Sequence, residues 1–174
     1  MGLKGSSTVT MFFENCEVPV ENVLGKVGMG GPIAFNGLYV GRYKLGASCS
    51  SGSKLAIGGA FDFASEREQF NRPLSQFGMI QRKFADMVVR SWEGDSIAYM
   101  TAGSIDLKLQ DESSDAPKYF DVLQKVIEDH GIEASIAKII GSVALWRNVD
   151  DAIQILGGAG FVEDYPFATM YRDE

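Results

Sequence analysis

The chain is poor in the residues that build the commonest catalytic and metal sites. It has one histidine and two cysteines in 174 residues. His130 sits in Glu128-Asp129-His130-Gly131 and reads as a polar helix end, not as a member of a Ser-His-Asp triad. Cys16 and Cys49 do not make a disulfide framework; they fit a reducing compartment, as small core or surface thiols. Positive charge is scarce too. With 16 basic and 23 acidic residues the net charge is −7, which argues against a nucleic-acid or anionic-membrane surface. No uncharged apolar run reaches the ~18 residues of a membrane-spanning helix. Met1-Gly2-Leu3-Lys4 is followed by no apolar segment of the signal-peptide kind. What remains is ordinary soluble composition, 45% hydrophobic and 22% charged, in a chain able to bury one good core or one domain plus part of another.

Patterning is mainly helical. Val9, Met11 and Phe13 alternate with Thr8, Thr10 and Phe12, which predicts a strand over 7–13. Pro19 and Gly25 punctuate a loop, and Gly28 to Pro32 reads as a hinge. Apolar residues then recur at helical spacing from Ile33 to about Ala64, without proline. The small residues of Gly46–Ser53 would let another helix approach closely. Pro73 and Ser75 mark a second helix running to Leu107, with Ile80, Phe84, Met87, Trp92 and Ile97 on one stripe. Asp111 to Pro117 is loop-like, and Lys118 to Asp129 is a short amphipathic helix. The apolar spacing from Ile132 to Leu156 predicts a last helix that stops at Gly157. Three long helices and a short one predict an up-and-down bundle. A lone strand cannot satisfy its own edges, so the first 25 residues read as the tail of a sheet domain whose body lies elsewhere.

Three segments carry a resemblance: Gly2-Leu3-Lys4-Gly5-Ser6-Ser7 through Asn22-Val23-Leu24-Gly25, then Glu66-Arg67-Glu68-Gln69-Phe70, then Gln154-Ile155-Leu156-Gly157-Gly158-Ala159-Gly160-Phe161. In this order they resemble the acyl-CoA dehydrogenase family of flavoenzymes. Ser96-Ile97-Ala98-Tyr99-Met100 and Ala137-Lys138-Ile139-Ile140-Gly141-Ser142 bring the likeness closest to its very-long-chain branch. The resemblance implies that residues 1–27 are the tail of the middle β domain and a linker. Residues 28–174 would be the C-terminal four-helix-type domain, cut before its final helix. It also implies FAD as cofactor, an acyl-CoA substrate and desaturation between the α and β carbons in fatty-acid β-oxidation. A homodimer or homotetramer, and electron-transfer flavoprotein as electron acceptor, follow from the same likeness. The compartment would be the cytoplasm of a bacterium or the mitochondrial matrix.

By resemblance Arg67, Gln69 and Phe70 form the arginine motif that reaches FAD bound mainly by a neighbouring subunit. A planar guanidinium suits that role, because it forks two donors onto a diphosphate. From residue type alone Arg67 reads more readily as a helix-end charge pairing with Glu66 or Asp62, and the motif reverses that preference. Phe77 and Gly78 occupy positions near the cofactor where the family often has a polar pair, so these two offer no side-chain hydrogen bond. Gln154, Gly157 and Gly158 match the element that contacts the ADP part of FAD across the interface; an amide donates and accepts, and glycines bring backbone donors close to an anion. Arg42 matches the arginine lining the acyl-CoA site, or else is a helix-surface charge. Tyr39 stands where the family often carries a carboxylate or amide to the CoA. The reaction needs a carboxylate base. Family spacing puts it roughly seven residues beyond Glu174, in an E-G-T motif; the alternative family position, one residue before Arg42, is Gly41. Glu174 is terminal and no substitute, so no catalytic base is assigned. A non-enzymatic helical association module derived from the family is the competing expectation.

Overall fold

The computed structural model describes residues 2–173. Its body is three long helices. α1 (Gly30–Glu66) runs up, α2 (Gly78–Leu109) runs down, and α4 (Gly131–Leu156) runs up again beside α1. The parallel pairing of α1 and α4 follows from their contacts: Tyr39 lies on Gly131, Gly46 on Ala137 and Gly141, and Gly52 on Leu145. A short helix, α3 (Tyr119–Asp129), follows α2 in the chain and packs at the lower end against α1 and α2. At the upper end a hairpin of β1 (Glu68–Gln69) and β2 (Arg72–Pro73) joins α1 to α2, and α5 (Gly158–Phe161) and α6 (Phe167–Asp173) follow α4.

The small residues of α1 allow the closest packing. A Cβ on Gly46 would lie 2.5 Å from the Ala137 carbonyl oxygen, and one on Gly141 would lie 2.7 Å from that of Gly46. The helices therefore meet backbone to backbone. Above that crossing, Ala56, Ala60 and Ala64 of α1 form one core with Val149, Ala152, Ile155 and Leu156 of α4, closed by Met87 and Phe167. Buried polar pairs set the register of α2. Asp151, 9% exposed, accepts from Lys83 Nζ at 2.5 Å and from both terminal nitrogens of Arg90 at 2.9 Å. Fully buried Asn148 donates to the Met87 carbonyl and accepts from Arg90. On the other side of α2, Asp95 accepts from the Ser50 hydroxyl at 2.7 Å and pairs with Lys54 at 2.6 Å. These contacts hold the Asp95 carboxyl below the usual carboxylate range, Lys54 foremost, and they raise Lys54 in turn.

The bundle and its helix limits agree with the sequence pattern to within three residues at most ends. The strand at 7–13 is a correction: these residues form no ladder, and Phe12 is 86% exposed. Among the described residues no second strand lies beside them, and an extended run without a partner leaves its N–H and C=O groups to water. His130 ends α3, as its sequence context predicts, and it is 4% exposed, with Nδ1 2.7 Å from the Val126 carbonyl and Nε2 2.9 Å from the Ser104 hydroxyl. Cys16 is exposed and Cys49 buried, and the two form no disulfide, as expected. Glu174 lies outside the described residues.

A candidate cofactor-contacting end and a substrate arginine

Two segments meet at the upper end of the bundle. α1 stops when Arg67 turns extended (φ −75°, ψ 117°), its N–H still bonded to the Phe63 carbonyl at 2.9 Å. The hairpin then turns through Phe70 (φ 53°) and Asn71 (φ 62°), the two left-handed residues that a two-residue hairpin of type I′ requires. Asn tolerates that conformation, but an aromatic residue there costs on the order of 1 kcal/mol. On this turn the Phe70 ring is 86% exposed, edge-on to Phe77 at 6.4 Å, while the Arg72 guanidinium covers the Phe77 ring at 3.9 Å. Arg67 and Gln69 are exposed, and their side chains have no hydrogen bond or ion pair among the described residues. The pairing of Arg67 with Glu66 or Asp62 is therefore not formed. Both side chains keep their full donor capacity.

α4 ends at the same level. Ile155 and Leu156 are buried in the core with Ala60 and Ala64, whereas Gln154 faces outward. Gly157 caps the helix at φ 59°, ψ −130°, a conformation closed to residues with a Cβ, and its N–H bonds back to Ile153 and Gln154. Nothing lies within 4 Å of where a Cβ would stand on Gly157 or Gly158. Their backbone is open to a ligand. Gly160 serves packing instead. A Cβ there would lie 2.6 Å from the Ile153 carbonyl oxygen, so glycine lets α5 fold back on α4. The Phe63–Tyr165 contact at 5.9 Å ties the two segments together. An unpaired guanidinium, two free amide side chains, an exposed strained ring and open glycine backbone at one end suit an anionic nucleotide. Gly78 opens α2 beside Phe77, in open space.

Arg42 lies 25 residues earlier on α1, about 37 Å away at 1.5 Å per helical residue. It is half-buried, not a free surface charge. Its Nη1 donates to the Ser135 hydroxyl at 3.1 Å, and its guanidinium lies 5.2 Å over the Tyr39 ring. Gly41 beside it faces open space. Among the described residues no group of His, Cys, Asp and Glu is arranged to hold a metal, and no helix is long and apolar enough to cross a membrane.

The profile of the acyl-CoA dehydrogenase C-terminal domain matches residues 28–174. The chain belongs to the acyl-CoA dehydrogenase family. It is 38% identical to a probable acyl-CoA dehydrogenase of Bacillus subtilis over 99% of its length, covering 29% of that protein. It is 36% identical to the human mitochondrial very long-chain specific acyl-CoA dehydrogenase, again over 99% of its length and 24% of the relative. The crystal structure of a Bacillus anthracis acyl-CoA dehydrogenase complexed with FAD superimposes with a TM-score of 0.85 at 38% identity, over 90% of this chain and 27% of that one. The chain thus spans under a third of each of these three relatives. The family is FAD-dependent. The turn strain at Phe70 was the feature that sequence reasoning missed; Asn71 between Phe70 and Arg72-Pro73 was its only local signal.

Proposed function

We propose that this chain is the C-terminal part of an FAD-dependent acyl-CoA dehydrogenase that desaturates acyl-CoA thioesters in fatty-acid β-oxidation, and that it is inactive alone. The observation that carries the reading is the convergence of Arg67, Gln69 and Phe70 with Gln154, Gly157 and Gly158 at one end of the bundle, with the side chains of Arg67, Gln69 and Gln154 unengaged among the described residues. Arg67 would hold the diphosphate, Gln154 and the Gly158 N–H would bond the ADP part, and Phe70 would pack beside the adenosine. Phe77 supports Phe70 from below, and Gly78 lets the cofactor pass. When bound, FAD supplies the hydride acceptor. Arg42, braced by Ser135, orients the CoA part of the substrate, with Tyr39 under it. No residue of the chain removes the α-proton; Gly41, at one of the two family positions for that base, has no side chain.

The ~37 Å between Arg42 and Arg67 exceeds the span of a small domain, and supports their service to two different active sites. Arg67 then reaches the FAD of a neighbouring subunit in a homodimer or homotetramer. Exposed Trp92, Met100, Ile139 and Trp146 on α2 and α4 offer apolar surface for such association. Electron-transfer flavoprotein is the proposed acceptor, and the bacterial cytoplasm or mitochondrial matrix the proposed compartment. The absence of a base beside Arg42 favours one other reading, a helical association module without flavin chemistry. The two separate on one substitution. In the dehydrogenase carrying this chain, Arg67→Lys turns a forked contact into a point charge and raises the FAD dissociation constant about tenfold, the loss of one charge-assisted hydrogen bond. An unchanged constant would sink the assignment.

A further inference from the structure

We propose that α3 is a substrate-binding element: with the start of α1 it builds a subsite for the phosphoadenosine end of coenzyme A. The inference rests on the reading of Arg42 as a contact to the CoA part of the substrate. A cleft of about 840 Å³ lies between the two helices. That size falls in the range of small-molecule sites. Tyr39 links it to Arg42, since its ring both lines the cleft and lies 5.2 Å beneath the Arg42 guanidinium. A ligand held at Arg42 can therefore continue into the cleft.

The lining suits a phosphorylated purine. Phe35 of α1 and Phe120 of α3 are partly exposed rings, which offer faces to an adenine. Lys26 and Lys125 bring ammonium groups for phosphates. Lys125 is paired with Asp129 at 2.7 Å on the surface, an exposed pair that yields to a doubly charged phosphate at small cost. Asp121 and Glu128 also line the cleft. Attraction for a phosphate therefore depends on the two lysines, and their neutralisation leaves net repulsion.

The wall is preformed. Val126 and Ile127 are buried against Ile105, and the Asn36 side chain donates to the Gln124 carbonyl at 2.9 Å. His130, bonded to Ser104, pins the end of α3 to α2. Pre-organisation of this kind lowers the ordering cost of binding. The stretch 111–129 thereby acquires a role.

The test is a titration of the 174-residue chain with adenosine 3′,5′-bisphosphate, coenzyme A and pantetheine, followed by amide NMR. The bisphosphate and coenzyme A are expected to shift the signals of Phe120, Gln124 and Tyr39. Lys26→Gln with Lys125→Gln is expected to raise both dissociation constants about tenfold and leave pantetheine unaffected. An unchanged constant for coenzyme A in the double variant, or no bisphosphate shift up to about 10 mM, overturns the subsite. Arg42→Gln separates the two readings. If it weakens coenzyme A while the lysine pair does not, the cleft is wrong and the substrate arginine stands. If neither substitution matters, both fail.

Discussion

Replacement of Gly141 by alanine tests the packing that brings α1 and α4 together. Alanine is the better helix former by about 1 kcal/mol, so propensity alone predicts a more stable chain. The structure predicts the opposite. The new Cβ would lie 2.7 Å from the Gly46 carbonyl oxygen and 2.8 Å from its Cα, both backbone atoms that no rotamer change can move away. The helices must separate, which also loosens Ala137 against Gly46. Overpacking of this kind costs about 3 kcal/mol at the upper end of its range. Less the propensity gain, the net loss is about 2 kcal/mol, or a Tm lower by about 4–8 °C in a chain of this size. Gly58→Ala on the exposed side of α1 is the matched control. Nothing lies within 4 Å of its Cβ position, so propensity acts unopposed and Tm rises by about 2–4 °C. Thermal unfolding followed by circular dichroism at about 222 nm, where helix dominates the signal, reads both. A Gly141→Ala variant as stable as the parent, alongside a stabilised Gly58→Ala, would refute the close crossing.

Two further outcomes follow from named contacts. Phe70→Ala is expected to weaken FAD retention in the dehydrogenase without lowering stability, since the ring is 86% exposed and sits on a strained turn; a lower Tm with unchanged FAD affinity contradicts the role given to it. Asp95 has a carboxyl depressed by Lys54 and Ser50, so its contribution is present above the unfolded pKa of about 4 and is lost as pH falls through the lower folded value. Urea midpoints measured from neutral to strongly acid pH are expected to fall more steeply for the parent than for Asp95→Asn; parallel curves would remove the link.

Helix existence and order were legible from the apolar spacing over Ile33 to Ala64, Ile80 to Leu107 and Ile132 to Leu156, but the buried face was not: Trp92, Ile132, Ile139 and Trp146 stand exposed, while small residues such as Ser50, Ala56, Gly94, Ala98, Ala137 and Gly141 fill the helix contacts. The glycine stop at Gly157 was legible for a local reason: only glycine adopts its backbone angles. The strand at 7–13 was misread because alternation reports a preference for a sheet, and a sheet also needs a partner strand. His130 was legible as a helix end, but its burial was not, because that depends on α2 covering it through Ser104. The convergence of Arg67 with Gln154 was not visible in spacing either. It depends on α1 and α4 running parallel, which the segments between them decide.

The proposed function has the upper end of this bundle grip a flavin held by a neighbouring subunit. The direct measurement is sedimentation velocity of the flavin-loaded dehydrogenase over a dilution series, read by flavin absorbance and by protein absorbance. The account predicts that flavin absorbance travels with the oligomer and is released as the oligomer dissociates. Monomers that keep their flavin with undiminished affinity would contradict it.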